Sequence, residues 1–225
     1  MKKVDVIAID GPSGAGKSSI SKILAEKTGY EYISTGAMYR LVGLLAHEKG
    51  IFSNNNELDK LCSEIKDKIF FKNGRIFFNN QDFTDKIYEN RVSMLASDIS
   101  KKEVVRKHLG SLQREIGLKQ KAILEGRDIG TVIFPDAKYK FYLDASDEVR
   151  AKRRFEELRE KGENVDFDTI LKEIKERDKN DSSRDIAPLK KAEDAFYIDT
   201  SNKSLEQVVD EILKKMDEID GDFNS

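Results

Sequence analysis

The chain has 225 residues, of which 38% are hydrophobic and 36% are charged, and its formal net charge is −2. This length supports one sizeable hydrophobic core with smaller appended parts. The balanced charge argues against a polymeric nucleic acid as partner, and no apolar run approaches the roughly 18 residues of a membrane span.

The chain starts with Met1-Lys2-Lys3 and passes at once into an apolar run at residues 4–9, which predicts a buried strand. This start leaves no room for a signal peptide. We therefore expect a cytoplasmic protein without membrane attachment, and we predict a monomer.

A phosphate-binding loop follows the strand directly. Residues 11–18 read Gly-Pro-Ser-Gly-Ala-Gly-Lys-Ser, which matches G-x-x-x-x-G-K-[ST], and a helix is predicted at 17–27, closed by Gly29. The glycines let consecutive N–H groups point at a polyphosphate, and the helix adds its positive N-terminal end. Lys17 can reach the β- and γ-phosphates, and the Ser18 hydroxyl suits a Mg²⁺ ligand. The loop predicts binding of a nucleoside triphosphate.

The next elements alternate and then change character. A short strand is predicted at 30–33, and Thr35-Gly36 begins a helix. Beyond residue 51 we expect a helix at 57–65 and a hairpin, with strands at 69–71 and 76–78 joined by Asn73-Gly74. Residues 79–84 form a second turn that leads towards a third strand. This stretch predicts a small antiparallel insert in an α/β chain.

The second half returns to strands and helices. A helix at 102–117 precedes a strand at 122–124, and a strand at 139–143 precedes a helix at 147–161. Residues 162–167 form a polar break that is typical of a mobile flap. A strand at 196–198 and a final helix follow, with Ser204 and Gln207 at capping-box spacing. This alternation predicts a parallel sheet with helices on both faces and a ligand site at the carboxyl ends of the strands.

Five arginines stand out beyond the loop: Arg40, Arg106, Arg127, Arg177 and Arg184. Phosphoryl transfer requires positive groups around the moving phosphoryl group and exclusion of water. A single arginine is more often part of a surface salt bridge. These arginines favour a site because four of them lie within three specific local patterns.

The patterns read Ser-Thr-Gly-Ala-Met-Tyr-Arg at 34–40, Gly-Arg-Asp-Ile-Gly-Thr-Val-Ile-Phe-Pro-Asp-Ala at 126–137, and Arg-Asp-Lys-Asn-Asp-Ser-Ser-Arg at 177–184. With the phosphate loop, they resemble the bacterial cytidylate kinase family over essentially the whole chain. The resemblance implies a P-loop kinase fold, α/β, with a parallel sheet flanked by helices, an antiparallel monophosphate-binding insert and a short helical lid. It implies a single kinase unit with core segments 1–50, 98–152 and 178–225, an insert at 51–97 and a lid at 153–177.

The resemblance also implies the reaction and the residues that perform it. The family transfers the γ-phosphoryl group of ATP to CMP, and we expect dCMP to be a second acceptor and Mg²⁺ to be the cofactor. The implied catalytic residues are Lys17, Arg127 and Arg177, and Ser18 is the implied metal ligand. The implied ATP-binding residues are Gly11, Pro12, Ser13, Gly14, Ala15, Gly16, Lys17, Ser18 and Ser19. The implied CMP-binding residues are Thr35, Arg40, Ser97, Arg106, Arg127, Asp128, Arg177, Asp181 and Arg184.

Two positions depart from the family pattern. Ser34 stands where many relatives have Asp, and the metal hydroxyl comes from Ser18 or Ser19 because the loop ends Lys-Ser-Ser. Adenylate, thymidylate and small-metabolite kinases remain alternatives.

Other nucleotide-dependent classes fit the sequence less well. A GTP-binding switch needs Asn-Lys-x-Asp, whereas residues 202–205 read Asn-Lys-Ser-Leu. A motor ATPase would use an apolar strand ending in an acid, as at 141–144, but no other motor feature follows.

Overall fold

A computed structural model describes residues 3–72 and 74–223. The strands are β1 (Val4–Asp10), β2 (Glu31–Ser34), β3 (Ile69–Lys72), β4 (Arg75–Phe78), β5 (Gln81–Asp82), β6 (Ala122–Gly126), β7 (Ala137–Asp144) and β8 (Phe196–Asp199). The helices are α1 (Lys17–Thr28), α2 (Thr35–Glu48), α3 (Asn55–Lys68), α4 (Thr84–Ile87), α5 (Asn90–Ile99), α6 (Glu103–Lys119), α7 (Asp147–Glu160), α8 (Phe167–Ser182) and α9 (Leu205–Phe223). No helix in these two ranges is both long enough and apolar enough to cross a bilayer.

The central sheet has five parallel strands in the order β2-β6-β1-β7-β8. Its register places Ser34 beside Glu125 and Asp10 beside Gly126, so the carboxyl ends of β2, β6 and β1 meet at one rim. The α/β fold with a parallel sheet flanked by helices, expected from the alternation of elements, is confirmed.

Alternate residues of β1 supply the two cores on either side of the sheet. Val6 and Ala8 pack with apolar residues of α2, α3 and α6, whereas Ile7 and Ile9 pack with those of α1 and α9. All four side chains are fully buried. A strand segment buried on both faces is apolar at successive positions, which explains the uninterrupted apolar run at 6–9.

Two predicted helix-end signals, Gly29 and the pair Ser204 and Gln207, are confirmed, and Ser34 adds a cap that the sequence patterns did not predict. Gly29 has φ 72° and donates its N–H to the Ala25 carbonyl, which ends α1. The Ser34 hydroxyl accepts the N–H of Ala37 at the start of α2. Ser204 and Gln207 form the reciprocal capping box ahead of α9.

The insert between α2 and α6 contains an antiparallel sheet in the order β3-β4-β5, as predicted. Gly74 of the predicted turn has φ 70°, and Asn73 lies outside the described residues. The insert also contains α4 and α5, which the sequence patterns did not predict. Helix α5 packs closely on α2, where a Cβ on Gly43 would approach the main-chain carbonyl of Leu95 to 3.0 Å.

Helices α7 and α8 form a hairpin with its own small apolar cluster of Ala151, Leu158, Ile170 and Ile174. Residues 161–166 connect the two helices, and Gly162 has φ 79° at the turn. The polar break that we predicted at 162–167 is therefore the tip of a helical hairpin.

Candidate active site

A cavity of about 860 Å³ lies at the rim where the strands end. Its wall includes all nine residues implied for CMP and six of the nine implied for ATP. Those six are Ser13, Gly14, Gly16, Lys17, Ser18 and Ser19. The phosphate loop, the insert and the α7–α8 hairpin thus face one another across a single cleft.

The other three loop residues lie behind the cleft and are not among the described residues of its wall. A Cβ on Gly11 would lie 1.9 Å from the Leu143 carbonyl, so this glycine lets the loop pass close to β7. Pro12 borders a groove on the other side of the loop, and Ala15 is buried in the core. Their positions indicate that they shape the loop.

Lys17 begins α1 at the base of the loop. Its ammonium group donates to the Pro12 carbonyl at 2.6 Å, and the residue is buried. Burial, reinforced by the nearby positive charge of Arg127, holds the pKa of Lys17 well below its usual value. A lysine in this setting gains from an anionic neighbour, because the anion would offset both the lost hydration and the repulsion.

Glu125 joins three hydroxyl groups at the rim. Ser18 Oγ lies 2.8 and 2.9 Å from the two carboxylate oxygens, and the hydroxyls of Tyr32 and Ser34 donate at 2.7 and 2.9 Å. Glu125 is itself buried. Sequence reasoning missed this residue, although its place directly after the apolar run 122–124, near the end of β6, marks it as a rim residue.

This cluster bears on both departures from the family pattern. Ser34 stands where many relatives have an aspartate. In this structure, β2 and β6 pair Ser34 with Glu125, so a carboxylate is present on the neighbouring strand. The same carboxylate holds the hydroxyl of Ser18. The structure therefore favours Ser18 over Ser19 as the hydroxyl poised beside the phosphate loop.

A buried ion pair lies at the insert side of the cleft. Arg106 on α6 donates to the Asp128 carboxylate at 2.5 Å, and its guanidinium lies 5.8 Å from the centre of the Tyr39 ring. Burial raises the pKa of Asp128, although Arg106 and Arg184 oppose the shift. The pair presents a carboxylate and a guanidinium beside an aromatic face.

A second ion pair links β6 to α8. Arg127 Nε donates to the Asp181 carboxylate at 2.8 Å, and both side chains are largely buried. Burial raises the pKa of Asp181, but Arg127, Arg177 and Arg184 outweigh it, so the pKa lies below its usual value. Asp181 therefore remains ionised among the arginines and holds Arg127 in place.

Arg177 connects three parts of the structure. Its Nη1 group lies 3.2 Å from Ser13 Oγ of the phosphate loop and 2.7 Å from Ser93 Oγ of α5. Arg40 donates more weakly to the same Ser93 hydroxyl, at 3.4 Å. Burial, with repulsion from neighbouring arginines, lowers the pKa of Arg177 to about 9 and that of Arg40 to about 10. This concentration of partly buried cations suits a ligand with several negative charges.

Some buried polar atoms of the cleft have no hydrogen-bond partner within residues 3–72 and 74–223. They are Ser97 Oγ, Arg177 Nε and Arg184 Nη2. Buried polar groups are normally paired, and unpaired ones mark places where a ligand group can bind. These three residues all line the cleft, so one hydroxyl and two guanidinium groups there keep hydrogen-bonding capacity for a polar, anionic ligand.

Comparisons with known proteins identify the family of this chain. A model of the family described as cytidylate kinase matches residues 7–218. The chain is 49% identical over 212 residues to the cytidylate kinase of Thermosipho melanesiensis, covering 94% of this chain and 96% of that one. It is 48% identical over 219 residues to the cytidylate kinase of Caldicellulosiruptor saccharolyticus, covering 95% and 96%. A crystal structure of an uncharacterized protein from Eubacterium ventriosum shares the fold, with a TM-score of 0.50, 16% identity and coverage of 96% and 99%.

Proposed function

Because this chain belongs to the cytidylate kinase family, we propose that its cleft binds ATP and CMP together and transfers the γ-phosphoryl group of ATP to CMP. The products are CDP and ADP. We propose that dCMP is a second acceptor, and that the chain works as a monomer in the cytoplasm.

The observation that carries this proposal is the Arg106–Asp128 pair in the same cavity as Lys17. Cytosine offers an amine donor at N4 and acceptors at N3 and O2, whereas uracil has an acceptor at position 4. A carboxylate that accepts from N4 therefore favours cytosine over uracil. A guanidinium group and the Ser97 hydroxyl are available for the acceptors of the base.

The transfer itself needs little covalent chemistry from the protein. An oxygen of the CMP phosphate attacks the γ-phosphorus, and the bond to the β,γ-bridging oxygen breaks with its electron pair passing to ADP. Lys17 and Arg177 stabilise the negative charge that spreads over the moving phosphoryl group. Arg127 and Arg40 hold the acceptor phosphate in line with it.

The residues beside the loop fit a magnesium ion. The Ser18 hydroxyl and the Glu125 carboxylate are oxygen donors of the type that Mg²⁺ prefers. Within the described ranges, no three His, Cys, Asp or Glu side chains converge as a metal site. We therefore propose that Ser18 binds Mg²⁺ jointly with the ATP phosphates, with Glu125 orienting the hydroxyl. When bound, the ion neutralises charge on the β- and γ-phosphates.

The test is an acceptor screen with Mg-ATP against CMP, dCMP, UMP, AMP and dTMP. We expect the highest kcat/KM with CMP or dCMP and little ATP consumption when no acceptor is present. A clear preference for AMP or dTMP would contradict the proposed base selection. Rapid ATP hydrolysis without an acceptor would indicate an ATPase instead.

A further inference from the structure

Asp10 is a buried carboxylate that the phosphoryl transfer leaves without a role. It ends β1, immediately before the phosphate loop, and is 4% exposed. One carboxylate oxygen accepts the N–H of Ile129 at 2.8 Å, and the other accepts the N–H of Gly130 at 2.7 Å. Both main-chain groups belong to the loop that carries Arg127 and Asp128. The carboxylate thus joins the two loops of the cleft.

The segment bound by Asp10 is a single turn of π-helix, Ile129–Ile133. The first N–H groups of a helical turn have no partner inside it and attract negative charge. The carboxylate of Asp10 satisfies two of them at once. The fit is close, because a Cβ on Gly130 would lie 3.4 Å from an Asp10 oxygen. The start of this turn is therefore held in a defined position against β1.

Two site residues directly precede this turn. Asp128 adopts φ −144° and ψ 21° as the cap of the turn and pairs with Arg106. Arg127 precedes it and pairs with Asp181. Because the next two N–H groups are fixed, the direction in which Asp128 leaves the backbone is fixed as well. A shift of the turn would displace the carboxylate from the base that it reads.

We infer that Asp10 is a positioning residue that aims Asp128 at the base of the acceptor nucleotide and thereby contributes to selection of CMP. The inference rests on the proposed function, because it concerns the acceptor side of that same site. It assigns to the strand before the phosphate loop a part in recognising the second substrate.

The energetics of Asp10 support this role. Burial raises its pKa to about 6, although the two N–H bonds and the charge of Lys17 oppose the shift and Asp128 adds to it. Burying a carboxylate that must ionise near neutral pH costs stability. An apolar residue would avoid that cost but could not accept two N–H bonds.

The test uses Asp10→Asn, because the amide has nearly the same shape and only one of its two ends can accept an N–H. We expect the KM for CMP to rise about tenfold and the KM for ATP to stay within about twofold of the wild-type value. We expect the ratio of kcat/KM for CMP to that for UMP to fall by a similar factor. Asp5→Asn removes a carboxylate from the other end of β1. It should leave both KM values and the CMP to UMP ratio of kcat/KM unchanged.

A double-mutant cycle shows whether Asp10 acts through the position of Asp128 or through the stability of the whole cleft. In an Asp128→Ala background, Asp10→Asn should have no further effect on the CMP to UMP ratio. If Asp10→Asn does not fold, Asp10→Ser, which retains one acceptor, provides the same comparison. The inference would be overturned by an unchanged CMP to UMP ratio of kcat/KM. It would also be overturned if kcat/KM fell equally for ATP and for CMP. A wild-type protein that does not phosphorylate CMP would instead overturn the proposed function.

Discussion

The hydroxyl of Ser18 lies within 2.9 Å of both carboxylate oxygens of Glu125. A residue of the phosphate loop is therefore held in place by a side chain of the neighbouring strand β6.

This contact predicts that Glu125 affects metal binding without touching either nucleotide. We expect Glu125→Gln to weaken binding of Mn²⁺ in the ATP complex by about 10- to 100-fold, because an outer partner that orients a ligand has effects of this size. Titration of Mn²⁺ followed by electron paramagnetic resonance measures this directly. Glu31→Gln at the far end of β2 is the control, and equal affinity in the two variants would contradict the role.

Lys17 should carry a large part of the rate. We expect Lys17→Ala to lower kcat by roughly 10²- to 10³-fold, because the proposed transfer places the developing negative charge beside this ammonium group. Initial rates with saturating ATP and CMP measure the effect. Lys22→Ala, an exposed lysine on the same helix, should retain the wild-type rate. A loss below about threefold in Lys17→Ala would be too small for a residue that stabilises the transition state.

Asp128 should act mainly on the acceptor. Its removal leaves Arg106 and the base amine unpaired, which costs about 1–3 kcal/mol per group. We therefore expect Asp128→Ala to raise the KM for CMP, with the KM for ATP nearly unchanged. Steady-state kinetics with each substrate varied in turn test this. An equal rise in the KM values for ATP and for CMP would indicate a general disruption of the cleft.

Arg177 should act mainly on the chemical step. Its guanidinium bridges the phosphate loop and the insert. In the proposed transfer, its contact with the phosphoryl group would strengthen only as negative charge spreads over that group. We expect Arg177→Met to lower kcat strongly and to change both KM values little. Lys175→Met, an exposed residue on the same helix, is the matched control. A higher KM with an unchanged kcat would assign Arg177 to ground-state binding.

Asp10 should make the stability of the protein depend on pH. Its pKa is raised from 3.8 to about 6, so between these pH values the folded state retains a proton that the unfolded state has lost. The resulting stabilisation is complete below pH 3.8 and is lost as the pH rises through about 6. Relative to wild type, Asp10→Asn should therefore gain about 2 kcal/mol in free energy of unfolding between pH 4 and pH 7. Urea unfolding of both proteins across this pH range measures the difference. If the two plots of unfolding free energy against pH are parallel, Asp10 does not titrate as expected.

The tip of the α7–α8 hairpin should become protected only in the ternary complex. Water near the γ-phosphate would compete with CMP, so closure of the hairpin must await both nucleotides. Hydrogen exchange at Gly162 and Glu163 should slow with CMP and a non-hydrolysable ATP analogue together, and not with either alone. Unchanged exchange in the ternary complex would assign these residues to an ordinary exposed turn.

Much of the fold and most of the cleft could be predicted from the sequence, because strands, caps and motifs are local patterns. The phosphate loop and the Arg127-Asp128 pair follow strands, and parallel strands bring their carboxyl ends to one rim. The role of Glu125 could not be predicted, because its contact with Ser34 depends on the register between two strands distant in sequence. Ser93 was missed for a related reason. It lies on α5, a helix that the patterns did not predict, and its partner Arg177 is 84 residues away.

The close contact between Gly43 and Leu95 has a mechanical consequence. Helices α2 and α5 touch main chain to main chain, so neither can slide along the other without a clash. We therefore expect Arg40 on α2 and Ser97 on α5 to move together when the cleft changes shape. Closure of the cleft would then come from the hairpin of α7 and α8 moving against this paired unit.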